Sequence, residues 1–246
     1  MICDRSPSTH RLAICALALN LCTAGAPAHA AAPGSTFRRP LPAAIEQFVQ
    51  ADLANRPAPC QVLFVGSSSI ARWKSLASDL APLPVINRGF DGAHIESFNQ
   101  WFDQVVAPYR PRVIVFYAGE NDVAAGKPVE SVVADFDAFM ARKSEALRQV
   151  PVYFISLKPS KLRFEQFAQQ SQVNDAIRAR AAERADLHYI DVVAPMLEDG
   201  KPGDLFVADN LHLSAQGYEI WTRAVRKALL PHADAGAETC QQQERQ

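Results

Sequence analysis

Residues 61–70 read Gln61-Val62-Leu63-Phe64-Val65-Gly66-Ser67-Ser68-Ser69-Ile70. The first half of this stretch is a continuous apolar run with valine and phenylalanine, which is typical of a strand buried on both faces of a parallel sheet. The second half places three serines directly after that strand. Ligands of open α/β sheets bind at the carboxyl ends of the strands, so a serine here stands where such a protein would expose a nucleophile.

Strand patterns recur along the rest of the chain. Residues 112–117 give the clearest one, because Val113-Ile114-Val115-Phe116 is β-branched and aromatic. The first strand is predicted at residues 61–65, and further strands at 84–87, 152–157 and 187–190. Apolar residues at helical spacing lie in segments 45–53, 129–148 and about 164–181, and in a last helix that Ser214 would cap. This alternation predicts an α/β fold with a parallel sheet covered by helices on both sides.

Polar clusters follow the predicted strands. They occupy residues 66–69, 87–92 and 119–122, and a fourth, with Asp209 and His212, lies in the loop ahead of the last helix. Because parallel strands end at the same edge of their sheet, the clusters are expected to meet there. A carboxylate three residues before an imidazole can orient it across one turn. Together with the serine run, the chain therefore supplies Ser, Asp and His, the residue types that carry acyl transfer.

Composition excludes some functions and bounds others. The chain has 246 residues with a formal net charge of −1, so it lacks the basic excess of a nucleic-acid-binding protein. Hydrophobic residues make up 48% of it, which is enough for one core of useful size. One domain is predicted over residues 41–230, between a loose arm at 31–40 and a polar tail at 231–246.

The first thirty residues have the features of a secretory signal. A weakly basic start precedes an apolar run from residue 12 to 22, and Ala28-His29-Ala30 is a small-x-small cleavage pattern. The run is too short to span a bilayer, so no stable membrane insertion is expected; a weakly anchored N-terminus is the alternative. Cleavage near Ala30 predicts a periplasmic or secreted protein that retains Cys60 and Cys240. An oxidising compartment would allow these two to form a disulfide, and a free cysteine in the tail is the other possibility.

Taken in order, these clusters resemble the four sequence blocks of the SGNH, or GDSL-type, esterase and lipase superfamily, which carry a Ser, a Gly, an Asn and a His. The resemblance covers most of residues 61–229. It implies a three-layer α/β/α sandwich with a flavodoxin-like five-stranded parallel sheet, and an esterase that needs no cofactor and no metal. The small size of the chain leaves little room for a large lid, so an open site is expected that suits a small-molecule ester with a short acyl or acetyl group, on a carbohydrate or a lysolipid for example. The oligomeric state is left open.

The resemblance also implies roles for individual residues. Ser68 would be the nucleophile and His212 the base, with Asp209 orienting it, and the oxyanion would be bound by the backbone N–H groups of Ser68 and Gly89 and by the amide of Asn121. One position departs from the family, because Ser67 stands where Asp usually precedes the nucleophile. Ser67 and Ser69 therefore remain alternatives to Ser68.

Further residues near the carboxyl edge of the predicted sheet, which forms the rim of the expected site, are candidates for substrate contact. They are Arg88, Phe90, Lys158 and Phe206. Arg72 is also near this rim, although charges of this kind are more often solvated. The competing hypothesis is a non-catalytic module that binds a small molecule, a phosphate or a glycan on the same fold, because hydroxyls and helix-start amides after a first strand can also cradle a phosphate.

Overall fold

A parallel sheet of five strands, in the order β2-β1-β3-β4-β5, forms the centre of the computed structural model, which describes residues 42–232. Its strands are β1 Val62–Gly66, β2 Val85–Gly89, β3 Val113–Tyr117, β4 Val152–Ile155 and β5 Leu187–Ile190. Within the register, Val62 pairs with Val85 on one side and with Val113 on the other. The predicted flavodoxin-like parallel sheet is thereby confirmed.

The strands lie where the apolar runs predict them, with ends that differ by one or two residues. β1 and β3 are buried at every position, as expected for central strands with helices on both faces. β4 ends two residues before its predicted end at residue 157, and β2 continues two residues past its predicted end at residue 87 and closes at Gly89. Arg88 is therefore a strand residue and not part of a loop, which decides where its side chain goes.

Helices occupy the connections between the strands. Four correspond to the predicted helical segments, and five shorter ones were not predicted because four to six residues show no clear period. In chain order they are α1 Ala43–Ala54, α2 Ser68–Ala71, α3 Leu76–Asp79, α4 Ile95–Gln100, α5 Phe102–Val105, α6 Glu120–Ala124, α7 Val129–Leu147, α8 Phe167–Glu183 and α9 Ala215–Leu229.

Aromatic contacts show that helices cover both faces of the sheet. Phe116 and Tyr117 are neighbours in β3, so their side chains point to opposite faces. Phe116 packs against Phe139 of α7 at a ring-centroid distance of 4.6 Å, and Tyr117 packs against Trp221 of α9 at 4.7 Å. The sheet is thus the middle of three layers, as the resemblance implies.

The last helix fixes the loop that precedes it. Ser214 is its N-cap, and the Ser214 side chain accepts a hydrogen bond from the backbone N–H of Gly217. The helix buries Ile220, Trp221 and Val225 against the sheet. Because both the cap and the buried face are anchored, the loop carrying Asp209 and His212 is held against the carboxyl edge of the sheet.

Several predictions fall on parts of the chain that are not described. The signal peptide at residues 1–30, the arm at 31–40 and the tail from residue 233 lie outside the described residues, as does Cys240. Cys60, just before β1, is disulfide-bonded; its pairing with Cys240 stays a prediction.

Between residues 42 and 232, no helix is long and apolar enough to cross a membrane. A small antiparallel hairpin, β6 Leu197–Glu198 and β7 Lys201–Pro202, lies ahead of the His212 loop.

Candidate active site

Ser68, Asp209 and His212 form one chain of hydrogen bonds at the carboxyl edge of the sheet. The Nε2 atom of His212 lies 2.9 Å from the Ser68 hydroxyl oxygen, and its Nδ1 atom lies 2.6 Å from Oδ2 of Asp209. With a proton on Nδ1 donated to the carboxylate, Nε2 is free to accept the hydroxyl proton of Ser68. The arrangement can therefore activate a serine hydroxyl by proton removal.

Burial distinguishes the three consecutive serines. Ser67 and Ser69 are 2% and 1% exposed, respectively, whereas Ser68 is partly exposed and lies at the first position of α2. The first N–H groups of a helix have no acceptor within the helix, so the N–H of Ser68 is suited to bind an oxygen anion. Of the three serines, Ser68 combines access to solvent with a hydrogen bond to His212.

The loop holding the base is shaped by Asp209 itself. Its Oδ1 atom accepts hydrogen bonds from the backbone N–H groups of Leu211 and His212, both at 2.9 Å. Burial alone would raise the pKa of Asp209, but the hydrogen bonds from the His212 ring and from these two backbone groups outweigh it and lower that pKa. Asp209 is therefore a carboxylate at any pH at which an ester is assayed.

Arg72 lies beside this pair. Its Nη2 atom donates to Asp91 at 3.0 Å, and its Nη1 atom lies 3.1 Å from Nδ1 of His212 and 4.0 Å from Asp209. Since Nδ1 donates its own proton to Asp209, Arg72 contributes a nearby positive charge and not a hydrogen bond there. The sequence predicts Arg72 near the rim, but no sequence pattern indicates that Arg72 contacts a histidine 140 residues away.

The side-chain amide of Asn121 is held at both ends at the start of α6. Its Nδ2 atom donates to the carbonyl oxygen of Ala93 at 3.0 Å, and its Oδ1 atom accepts from Arg163 at 3.0 Å. An amide nitrogen carries two hydrogens, so one remains for another acceptor. Asn121 can thus donate to an oxyanion, while Arg163 is a neighbour that the sequence did not single out.

Gly89 lies at the end of β2, and its backbone N–H already has a partner. It donates to the Oδ1 atom of Asn87 at 2.9 Å, and the Asn87 amide nitrogen donates in turn to the carbonyl of Ile70. The expected oxyanion role of this N–H therefore requires that it exchange the Asn87 oxygen for the substrate oxygen. The need for glycine has a separate, steric cause: a Cβ atom at residue 89 would lie 2.5 Å from the backbone nitrogen of Ala71 in α2.

Replacing Gly89 with alanine is expected to lower both stability and turnover. The methyl group has no room against the α2 backbone, so it should cost about 1–3 kcal/mol of unfolding free energy. It should also displace the helix that begins at Ser68 and lower kcat about tenfold or more. Gly200→Ala is the control: its φ of +75° makes a methyl strained, but nothing lies within 4 Å. Urea unfolding with steady-state kinetics measures both effects, and an unchanged kcat in Gly89→Ala would show that α2 does not need this close approach.

Lys158 does not lie on the rim, which corrects the prediction that it contacts substrate. Its side chain is 1% exposed and its Nζ atom lies 2.7 Å from Oε2 of Glu120, which also accepts a 2.6 Å hydrogen bond from the Tyr117 hydroxyl. Burial would raise the pKa of Glu120, but the charge of Lys158 and the hydrogen bonds from Lys158 and Tyr117 together outweigh burial and lower that pKa. A buried carboxylate requires a paired cation, and this requirement draws the lysine inward.

Arg88 is also turned away from the site. Its guanidinium forms an ion pair with Asp52 of α1, donates to the Tyr109 hydroxyl, and lies 4.6 Å from the Tyr109 ring centroid. β2 continues to residue 89, so Arg88 is part of the strand. Because successive side chains of a strand point to opposite faces of the sheet, the Arg88 side chain is directed to the helices on one face. Its predicted contact with substrate is corrected accordingly.

The two predicted aromatic residues remain near the site. Phe90 follows β2, is 9% exposed, and borders a cavity of about 610 Å³ that Arg72 and Asp91 also line. Phe206 forms an isolated bridge with Leu213, next to His212, and is partly buried. Contact of either ring with a substrate stays a prediction. Across residues 42–232, no group of three or more His, Cys, Asp or Glu side chains is placed to hold a metal ion.

The chain is similar to known proteins in both sequence and fold. The sequence model of the GDSL-like lipase/acylhydrolase family matches residues 28–220. No curated protein matches the chain by sequence. Among solved structures, a GDSL-like lipase from Bacteroides thetaiotaomicron is similar at a TM-score of 0.63 and 21% identity, covering 75% of this chain and 96% of its own.

Two solved carbohydrate esterases have a similar fold. A catalytic mutant of an acetylxylan esterase from Geobacillus stearothermophilus gives a TM-score of 0.56 at 14% identity, covering 69% of this chain and 94% of its own. A carbohydrate esterase family 3 protein from Talaromyces cellulolyticus gives 0.55 at 16% identity, covering 70% and 97%. At these identities the similarity establishes the fold alone.

Proposed function

The chain belongs to the GDSL-like lipase/acylhydrolase family, a family of hydrolases that act on esters, and from this premise we propose that it is an exported serine esterase. It hydrolyses a carboxylic ester through an acyl-enzyme intermediate. The observation that carries the proposal is the hydrogen-bonded chain from Asp209 through His212 to the Ser68 hydroxyl. A phosphate-binding or glycan-binding module has no need of such a chain, so catalysis is the better account of these residues.

The proposed reaction has two steps. Ser68 attacks the ester carbonyl while His212 takes the hydroxyl proton, and the imidazolium then gives that proton to the departing alcohol. A water molecule, deprotonated by the same imidazole, releases the acid from Ser68. Asp209 holds the tautomer of the ring and stabilises its charge. The N–H of Ser68 and the free amide hydrogen of Asn121 are the proposed donors to the oxyanion, and the N–H of Gly89 becomes a third when it leaves the Asn87 oxygen.

The proposed substrate is an ester with a short acyl group. The related folds of an acetylxylan esterase and a carbohydrate esterase make an acetylated carbohydrate a reasonable first substrate class to assay. A lysolipid is the second class. Two of the exposed large apolar side chains, Leu162 and Val207, have backbone hydrogen bonds to residues of the His212 loop and would offer apolar contact to such a substrate.

Export is proposed on sequence features and on one covalent bond. The basic start, the apolar run and the Ala28-His29-Ala30 pattern indicate a signal that is cleaved near Ala30. The disulfide at Cys60 fits an oxidising compartment such as the periplasm or the medium, because thiols are kept reduced in the cytosol.

The function is tested with protein recovered from the periplasm of an expressing cell. We expect an N-terminus at Ala31, hydrolysis of p-nitrophenyl acetate faster than of the octanoate ester, and one fluorophosphonate label on the peptide that contains Ser68. Fragmentation of that peptide distinguishes Ser68 from Ser67 and Ser69. A protein that neither hydrolyses these esters nor takes up the label would favour the binding module.

A further inference from the structure

Arg163 lies outside the hydrogen-bonded chain of Ser68, His212 and Asp209, and it contacts Asn121, one of the proposed oxyanion donors, directly. It follows β4, just before a 3₁₀ turn at Phe164–Gln166, and its side chain is 20% exposed. Its Nη1 atom donates to Oδ1 of Asn121 at 3.0 Å. The two residues are 42 positions apart in the sequence, so the contact is produced by the fold and not by local structure.

The contact determines which way the Asn121 amide faces. The amide oxygen receives a hydrogen bond from a cation, and the amide nitrogen donates to the Ala93 carbonyl at 3.0 Å. A half-turn of the amide would place its NH₂ group against the guanidinium of Arg163 and its oxygen against the carbonyl of Ala93. Both new contacts would be repulsive, so the remaining amide hydrogen keeps a single direction.

Arg163 is itself held by the buried charges behind it. Its Nη1 atom lies 3.7 Å from Oε1 of Glu120, and the other carboxylate oxygen is bound by Lys158 at 2.7 Å and by the Tyr117 hydroxyl at 2.6 Å. Lys158 and Arg163 therefore share one carboxylate, and Arg163 is the cation that contacts Asn121. Fixed positive charge near a developing oxyanion lowers the energy of the transition state more than that of the neutral ester.

We propose that Arg163 is a positioning residue, which fixes the Asn121 amide and strengthens its remaining N–H as a donor to the oxyanion. The charge-assisted hydrogen bond to the amide oxygen polarises the amide, and polarised groups donate more strongly. The inference rests on the proposed function, because it takes Asn121 as an oxyanion donor. Arg163 does not touch the reacting atoms in this account.

A double-mutant cycle with p-nitrophenyl acetate tests the proposal. Asn121→Ala is expected to lower kcat by about 10²-fold or more. Arg163→Met should lower kcat by about 10-fold to 30-fold while KM changes less than threefold, because the lost effect arises only in the transition state. When Asn121 is already alanine, the same Arg163→Met change should lower kcat less than threefold, since coupled residues are not additive.

Two further variants separate positioning from folding. Arg163→Lys keeps the positive charge, so its kcat should lie between those of Arg163→Met and the wild type. If Arg163→Met does not fold, Arg163→Lys takes its place in the double-mutant cycle. Arg142→Met removes a different arginine, one that binds Asn99 and Asp103 away from the site, and should leave kcat within twofold. Thermal unfolding is followed for every variant.

The possible results have distinct meanings. If Arg163→Met lowered kcat equally in the wild type and in Asn121→Ala, the proposed role of Arg163 would be overturned, while the oxyanion role of Asn121 would stand. An unchanged kcat in Arg163→Met, with a large loss in Asn121→Ala, would do the same. An unchanged kcat in Asn121→Ala would refute the oxyanion role of Asn121, and the role of Arg163 would fail with it.

Discussion

Ser68→Ala is expected to lower kcat for p-nitrophenyl acetate on the order of 10⁴-fold or more, with the fold unchanged. The substitution removes the one hydroxyl that lies 2.9 Å from the imidazole of His212, and the acyl-enzyme cannot form without it. A side chain that is only partly buried and that starts a helix can lose its oxygen with little effect on packing. The measurement is a progress curve at high enzyme concentration, with far-UV circular dichroism as the check on folding.

Ser67→Ala is the matched control for that result. It removes the same atom one residue earlier, from a side chain that is 2% exposed and forms no capping hydrogen bond for α2. Its kcat should stay within about tenfold of the wild type, as expected for a residue outside the site. If Ser67→Ala were inactive and Ser68→Ala active, the nucleophile would have to be reassigned.

His212→Ala is expected to lower kcat on the order of 10³-fold or more. The loop should survive the change, because Asp209 would still accept hydrogen bonds from the backbone N–H groups of residues 211 and 212. His188→Ala, which removes a ring that stacks on Tyr153 within the sheet, is the control for loss of an imidazole and should keep kcat within threefold. A loss of less than tenfold in His212→Ala would exclude this residue as the base.

The pH profile of the wild type gives the same test a second readout. Because the pKa of Asp209 is lowered, this carboxylate stays ionised and takes up a proton only below the ordinary carboxyl range. Its contribution is therefore lost only at strongly acid pH. A decline of kcat/KM at mildly acid pH would therefore not be caused by Asp209, and general-base catalysis by His212 is expected to account for it. Hydrolysis that is flat from about pH 4 to 8 would contradict the role of His212.

The sequence predicts the sheet well, for a physical reason. The central strands are runs such as Val113-Ile114-Val115-Phe116, and a run that is apolar at every position suits a strand buried on both faces. The same logic brings the polar clusters to one edge of the sheet, since each follows a strand. Short helices such as α2 and α6 escape prediction, because four or five residues contain no measurable period.

Side-chain directions were harder to predict than strand positions. Arg88 and Lys158 lie close to where the strands were expected to end, but their orientations depend on partners far along the chain, Asp52 and Glu120. The same holds for Arg163 and Arg72, whose contacts with Asn121 and His212 have no local sequence signature. Residues that the chemistry requires by type can be predicted from the sequence, whereas contacts with a distant neighbour cannot.

The separation of nucleophile and base along the chain has a consequence for biosynthesis. Ser68 and His212 are 144 residues apart in the sequence, and the fold brings the second against the first. A ribosome releases the serine long before the histidine, so a growing chain has a nucleophile without a base for most of its synthesis. Under the proposed function, the catalytic residues can come together only after His212 has been synthesised, and a chain exported in the unfolded state would assemble them on the far side of the membrane.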